Sequence, residues 1–204
     1  MAFKKGQNPN HPRKGASIKV DPIRDLAVIA QIKKNLLDAK QYRNYCLFVL
    51  GINTAWRANE LLSITVGQVR YLKPGDELEL KQSKNKKYRC TPINKAAYSA
   101  IQLWLKHYRG AAHDNAPLFP SRQFGALGVP AVCNLVKRWC QDAGAHGRFG
   151  SHSLRKSWGF HQRKTFGTPL ALICRALGHS SEQQTIRYIG LQNKELANVF
   201  LNLI

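Results

Sequence analysis

The sequence predicts a mostly helical α+β domain with a small three-stranded antiparallel sheet. Apolar residues recur with helical spacing along most of the chain, and one short stretch alternates with the period of a strand. The 204 residues, 44% of them hydrophobic, can bury one core. No repeat and no linker divides the chain, so one domain over 21–204 is expected after a flexible arm over 1–20.

The arm is basic and irregular. It contains no acidic residue, and Gly, Pro and Asn interrupt every helical period; its basic residues are Lys4, Lys5, Arg13, Lys14 and Lys19. We expect it to become ordered on a polyanion. A solvated tail without a role is the alternative.

The helices are predicted from their start signals and apolar spacing. Asp21 and Pro22 form an N-cap and first-turn pair that starts the first helix. Two more helices are expected at about 41–53 and 58–64. Later ones are expected at about 95–108, 130–143, 153–166, 169–177, 181–187 and 192–204. The last has an apolar stripe at i, i+3, i+4 and i+7, formed by Leu196, Val199, Phe200 and Leu203.

The sheet is predicted between the third and fourth helices. Three strand-like runs, 69–73, 77–83 and 88–93, are separated by the Pro74-Gly75-Asp76 turn and by a basic turn. Alternation between turns of this kind is typical of short antiparallel strands.

Charge favours a nucleic-acid partner. The chain has 32 Lys and Arg against 11 Asp and Glu, a net charge of +21, and such a chain is attracted to polyanions. Ribosomal and membrane-surface proteins are also basic.

The five scattered cysteines suggest a reducing compartment, and no apolar stretch reaches the roughly 18 residues of a membrane span. With no signal-peptide core either, we expect a cytoplasmic protein.

An H-x-x-R pair can hold a phosphate. Ser151 is a plausible N-cap that places His152 and Arg155 on one face at the start of a helix, where the dipole favours an anion. Arg155 can bind two phosphate oxygens, and His152 can bind a third or transfer a proton. An ordinary helix start is the alternative.

A hydroxyl follows at a short distance. Gly178 fits a helix C-cap that would fix the direction of His179, and Tyr188 stands nine residues beyond His179. Because a phenol has a pKa of roughly 10, it needs surrounding cations to act as a nucleophile.

The order and spacing of these residues resemble the catalytic boxes of the tyrosine recombinase (phage integrase) family, over roughly residues 22–190. Residues 54–62 resemble the first box, in which Arg57 matches the first catalytic arginine and Glu60 would hold it or cap the helix. Ala55 and Trp56 stand where the family usually has glycine and leucine.

Residues 81–93 resemble the basic hairpin of the family. Its catalytic lysine stands eight positions before a proline, which selects Lys84, with Lys86 as the next candidate. A basic turn that only touches phosphates is the alternative. Further DNA contacts are expected from Lys81, Lys86, Lys87, Arg89 and Lys156.

The resemblance implies a site of six residues: Arg57, Lys84, His152, Arg155, His179 and Tyr188. Tyr188 would attack a DNA phosphate, leaving a 3′-phosphotyrosyl bond and a free 5′-hydroxyl. The arginines would neutralise charge on the phosphate, His152 would accept the phenolic proton, and Lys84 would protonate the leaving oxygen. No metal or cofactor is expected, since the sequence has no Walker loop or H-E-x-x-H motif.

The resemblance is to short, single-domain members, because only residues 1–20 precede the catalytic domain. The expected partners are double-stranded DNA, further copies of the chain in a tetramer on two sites, and an accessory protein that bends DNA or replaces the core-binding domain. The 192–204 stripe would dock on a neighbour or pack on its own domain. A type IB topoisomerase-like enzyme and a non-catalytic DNA-binding protein remain alternatives. A generic RNA-binding protein is disfavoured by the lack of an aromatic stacking motif.

Overall fold

Helices dominate the part of the chain that the computed structural model describes, which is residues 19–81, 88–108, 113–123 and 125–191. Most of the predicted arm, the tip of the basic hairpin and the predicted helix 192–204 lie outside these residues. The helices are α1 (Leu26–Asp38), α2 (Tyr42–Asn53), α3 (Ala58–Leu62), α4 (Val66–Val69), α5 (Lys95–Lys106), α6 (Val129–Asp142), α7 (Ser151–Lys164), α8 (Leu170–Leu177) and α9 (Glu182–Ile189). The mostly helical part of the fold-class prediction is thus confirmed.

Helix α2 forms the centre of the main core. Its run from Cys46 to Leu50 is buried on every face, and it packs against α1, α5 and α7. An all-round apolar helix is expected in such a place. Because α7 carries the H-x-x-R pair, this packing places the pair at the edge of a rigid core.

A second, smaller core lies beneath the C-terminal boxes. Ile173 and Leu177 of α8, Ile189 of α9 and Ala55 of the first box are buried together. Both α8 and α9 pack on α7. This core holds the His179 turn and Tyr188 beside α7.

The sheet has two strands among the described residues, β1 (Glu77–Lys81) and β2 (Tyr88–Pro92), paired antiparallel. The predicted strand over 69–73 is wrong. Val69 is instead the last residue of α4. The side chain of Gln68 caps the start of that helix by accepting the backbone N–H of Thr65 at 2.9 Å. Tyr71 is 80% exposed and lies in a turn.

The first helix also begins later than predicted. Asp25 caps it by accepting the N–H of Ala27 at 2.7 Å, whereas Asp21 accepts the N–H of Arg148 at 3.0 Å. Residues 20–24 run without helical structure along α7, where Ile23 donates to the hydroxyl of Ser157 at 2.7 Å. These tertiary hydrogen bonds outweigh the local capping signal of Asp21.

No helix in the described ranges is long and apolar enough to cross a membrane.

Candidate active site

Arg57 is held by the glutamate three positions after it. Its Nη1 donates to Oε1 of Glu60 at 2.9 Å, and its backbone N–H donates to Oε2 at 2.8 Å. Glu60 is 1% exposed, while the side chain of Arg57 is 23% exposed. Glu60 therefore does both things expected of it, capping α3 and orienting Arg57 with its charge still accessible.

The unusual residues before Arg57 have structural partners. Trp56 is buried and donates from Nε1 to the hydroxyl of Thr91 at 3.0 Å, which ties the loop to β2. Ala55 packs against α8 and α9 in the smaller core. Both side chains thus hold the loop against the elements that complete the site.

Arg155 is buried between the first and last boxes. Its Nη1 donates to the carbonyl of Ala55 and its Nη2 to the carbonyl of Leu177. Burial lowers the pKa of Arg155 to about 10, which leaves the guanidinium charged at neutral pH. Helix α7 begins at Ser151, and its N-cap is Gly150 instead of the predicted Ser151.

Tyr188 lies with its hydroxyl beside these groups. The distance from its oxygen to Nδ1 of His152 is 3.4 Å. Burial raises the pKa of Tyr188, although the charge of Arg155, a hydrogen bond from Arg155 and the charge of Arg57 oppose the increase. Without DNA, the hydroxyl therefore keeps its proton at neutral pH.

The surroundings of His152 lower the pKa of its ring. Desolvation of the ring lowers its pKa, and the charges of Arg155, Lys156 and Arg57 lower it further. A lowered pKa keeps the imidazole neutral at pH 7, so that one ring nitrogen is an acceptor.

His179 follows the left-handed Gly178, as the C-cap signal predicted, with φ of +60° at that glycine. Its Nδ1 lies 3.0 Å from the hydroxyl of Thr185, which itself donates to the carbonyl of Ser181. Thr185 thus holds the ring of His179 against α9. The ring meets that of Tyr188 edge to face, with centroids 4.9 Å apart.

Sequence reasoning did not select Thr185. It is fully buried, and it lies three positions before Tyr188 on the same helix. The signal in the sequence was a hydroxyl residue close to Tyr188 on α9. A threonine in a helix does not indicate a functional role until its hydrogen-bond partner is known.

Lys156 lies over the nucleophile. Its Nζ is 5.0 Å from the centroid of the Tyr188 ring and donates to the carbonyl of Val20 at 2.8 Å. The structure thus places this predicted DNA contact against the face of the tyrosine.

The hairpin is only partly described. Lys84, Lys86 and Lys87 lie outside the described residues. Lys81 is exposed at the end of β1, with its Nζ 5.7 Å from the Tyr88 ring centroid. Arg89 instead points inward, donating to the carbonyl of Ala176 at 2.9 Å and to Oε2 of Glu60 at 3.4 Å.

The described residues hold no cluster of three or more His, Cys, Asp or Glu that would suit a metal ion. They bring together two arginines, two histidines and a tyrosine, a set suited to binding a phosphate and attacking it.

Comparison with known proteins identifies the family of the chain. The sequence model of the phage integrase family matches residues 24–195. The chain belongs to this family. Its relatives in the tyrosine recombinase group include the probable integrase/recombinase YoeC of Bacillus subtilis (strain 168), 33% identical over 175 residues that make up 84% of this chain and 90% of YoeC. The tyrosine recombinase XerC of Shewanella sp. (strain ANA-3) is 25% identical over 166 residues, 81% of this chain and 54% of XerC.

Solved structures of tyrosine recombinases share the fold. The crystal structure of XerA recombinase superposes with a TM-score of 0.70 at 17% identity, over 89% of this chain and 65% of XerA. XerH in a post-cleavage complex with palindromic difH substrate gives a TM-score of 0.67 at 22% identity, over 88% of this chain and 52% of XerH. The chain spans about half the length of XerC and XerH.

Proposed function

We propose that this tyrosine recombinase cleaves and rejoins double-stranded DNA at specific sites through a 3′-phosphotyrosyl intermediate. The observation that carries the proposal is the position of Tyr188, whose hydroxyl lies 3.4 Å from His152 and beside Arg155 of the same chain. The names of YoeC and XerC and the DNA complex of XerH support the same activity.

The first step is an exchange of one phosphoester for another. The Tyr188 oxygen forms a bond to phosphorus while the bond from phosphorus to the 5′ oxygen breaks, and His152 takes the phenolic proton. Arg57 and Arg155 neutralise charge that develops on the non-bridging oxygens, the largest contribution in such transfers. Lys84 gives a proton to the 5′ oxygen.

The second step reverses the first on another DNA end. A 5′-hydroxyl attacks the phosphotyrosine, restores the backbone and releases Tyr188. Because phosphoester bonds are exchanged one for one, the reaction needs neither ATP nor a metal. Since Tyr188 lies among cations of its own chain, we propose that it attacks the phosphate that those cations hold.

The wider assembly is proposed on the same basis. Lys81, Lys86, Lys87 and the basic arm would bind DNA phosphates, and four copies would act on two sites, with the 192–204 segment docking on a neighbour. An accessory protein that bends DNA or binds the core site is a further proposed partner. We place the protein in the cytoplasm.

Covalent trapping tests the proposal. The protein is incubated in EDTA with duplexes from the DNA flanking its gene, nicked so that the cleaved end diffuses away, and then denatured. We expect an adduct with the wild-type chain and none with Tyr188→Phe, which should still bind. Binding without an adduct would favour the non-catalytic alternative. Relaxation of supercoils without exchange of sites would favour the topoisomerase alternative.

A further inference from the structure

Arg89 lies in a buried network that joins three parts of the site. It is on β2, five positions after Lys84, and pairs with Leu80 of β1. Its Nη2 contacts Oε2 of Glu60, and its Nη1 donates to the carbonyl of Ala176, near the C-terminal end of α8. Its Nε is buried and has no hydrogen-bond partner among the described residues.

These contacts turn Arg89 away from solvent. Its side chain is 18% exposed, and both terminal nitrogens are used within the protein. Arg155 is also buried and bound to two carbonyls, but it hydrogen-bonds to Tyr188 as well and so borders the phosphate that Tyr188 would attack, whereas Arg89 donates to Ala176 and Glu60. The predicted DNA contact at Arg89 therefore does not suit its geometry.

The partner of Arg89 is the residue that positions Arg57. Both oxygens of Glu60 bind the first box, Oε1 at the Arg57 side chain and Oε2 at its backbone. Arg89 shares Oε2 with the backbone N–H of Arg57, so it is a further contact that holds the carboxylate. Rotation of Glu60 would move the guanidinium of Arg57 with it.

The second contact of Arg89 reaches the other half of the site. Ala176 and Leu177 are consecutive, and their carbonyls accept from Arg89 and Arg155 respectively. The Gly178 cap and His179 follow at once. Two arginines thus hold the end of α8 from which His179 emerges.

We propose that Arg89 is a positioning residue that links the hairpin to Arg57 through Glu60 and to the His179 turn through Ala176, and that it does not bind DNA. The inference rests on the proposed cleavage chemistry, because cleavage is the activity it affects. Through Arg89, strand β2 is in direct contact with the group that orients the first catalytic arginine.

Substitution of Arg89 should separate catalysis from binding. With Arg89→Gln we expect cleavage of a saturating nicked duplex to slow by about 10–100-fold, the usual effect of a small displacement of a catalytic group. Affinity for the duplex and its dependence on salt should stay as in the wild type. A lost phosphate contact would instead reduce the slope of log K against log salt by about 0.9.

Arg89→Lys separates position from charge. It keeps the positive charge, but one ammonium cannot span Glu60 and Ala176 as a guanidinium does. We expect cleavage to recover only in part. Full recovery would mean that Arg89 contributes charge and not position.

A double-mutant cycle with Glu60→Gln tests the route through Glu60. If Arg89 acts through this carboxylate, the double variant should cleave no more than about threefold slower than the slower single variant, because coupled residues are not additive. If the slowing factors of the two single variants multiply in the double variant, Arg89 does not act through Glu60.

Arg70→Gln is the matched control for folding. Arg70 also pairs with a carboxylate, Asp114 at 3.6 Å, outside the site. In this control, cleavage should change only as much as the amount of folded protein does. The same result with Arg89→Gln would make Arg89 structural. An absence of adduct with the wild-type chain would instead contradict the proposed function, so the two failures are distinguishable.

Discussion

At the scale of single residues, the pKa values of Tyr188 and His152 shift in the directions that their proposed roles as proton donor and proton acceptor require. Burial keeps Tyr188 protonated, whereas desolvation and three cations keep His152 neutral. Opposite shifts in neighbouring groups are how proteins assign acid and base roles. The pair is thus set for proton transfer before DNA arrives.

Cleavage should depend on pH in the direction that His152 dictates. A base acts when unprotonated, and a lowered pKa moves its protonation below the usual value of about 6.5. At low DNA concentration, we expect a constant cleavage rate from pH 8 to about 6.5 and a decline below that. His152→Asn should lose this decline. A rate that rises as the pH falls would contradict the role of His152 as a base.

Thr185 should matter through His179. Thr185→Val removes the hydroxyl that lies 3.0 Å from Nδ1 of His179, at a cost of about 1–3 kcal/mol in unfolding free energy. We expect cleavage to slow by about 10-fold, since about 1.4 kcal/mol of lost positioning corresponds to that factor. Thr185→Ser keeps the hydroxyl and should stay close to the wild type in thermal melting and in adduct formation. Equal defects in both variants would exclude the hydroxyl as the cause.

At the scale of elements, close packing of α7 against α9 sets the place of the nucleophile. Gly159 of α7 faces Ile189, the residue next to Tyr188, and an added Cβ would lie 2.7 Å from Cγ2 of Ile189. The absence of a side chain at Gly159 thus determines how near α9 can approach.

Gly159→Ala should displace that helix. We expect a loss of about 1–3 kcal/mol in unfolding free energy, typical of overpacking, together with slower adduct formation. Gly125→Ala is the control, since a Cβ there meets nothing within 4 Å. Both can be followed by urea unfolding and by trapping on nicked DNA. Normal cleavage by Gly159→Ala would show that α9 accommodates the added methyl group.

Sequence patterns predicted the elements better than the contacts between them. The helix expected at 41–53 is Tyr42–Asn53, and that expected at 130–143 is Val129–Asp142, because a buried stripe is a local property. The strand at 69–73 failed because a local bond between Gln68 and Thr65 caps α4, and the cap at Asp21 failed because a distant group, Arg148, binds that carboxylate. The inward position of Arg89 depends on partners 29 and 87 positions away, which spacing cannot reveal.

At the scale of the whole molecule, the net charge of +21 dominates the approach to DNA. Such attraction does not depend on base sequence and weakens with salt. Within the site, by contrast, the cations are fixed by carbonyls and by Glu60. In the proposed mechanism, general charge therefore brings the duplex to the protein, and the fixed groups act on one phosphate.

The basic arm should contribute to the general electrostatic attraction of DNA. Replacing Lys4, Lys5, Arg13 and Lys14 by Gln should weaken DNA binding and reduce the slope of log K against log salt by about 0.9 for each lost phosphate contact. Fluorescence anisotropy at several salt concentrations measures both quantities. An unchanged slope would mean that the arm is a solvated tail.

The most direct test of the account is to locate the covalent bond. The trapped adduct is digested with nuclease and protease, and the peptide that carries a nucleotide is sequenced by mass spectrometry. We predict a single modified residue, Tyr188, joined to the 3′ phosphate of the cleaved strand. A bond to another side chain, or to a 5′ phosphate, would contradict the account.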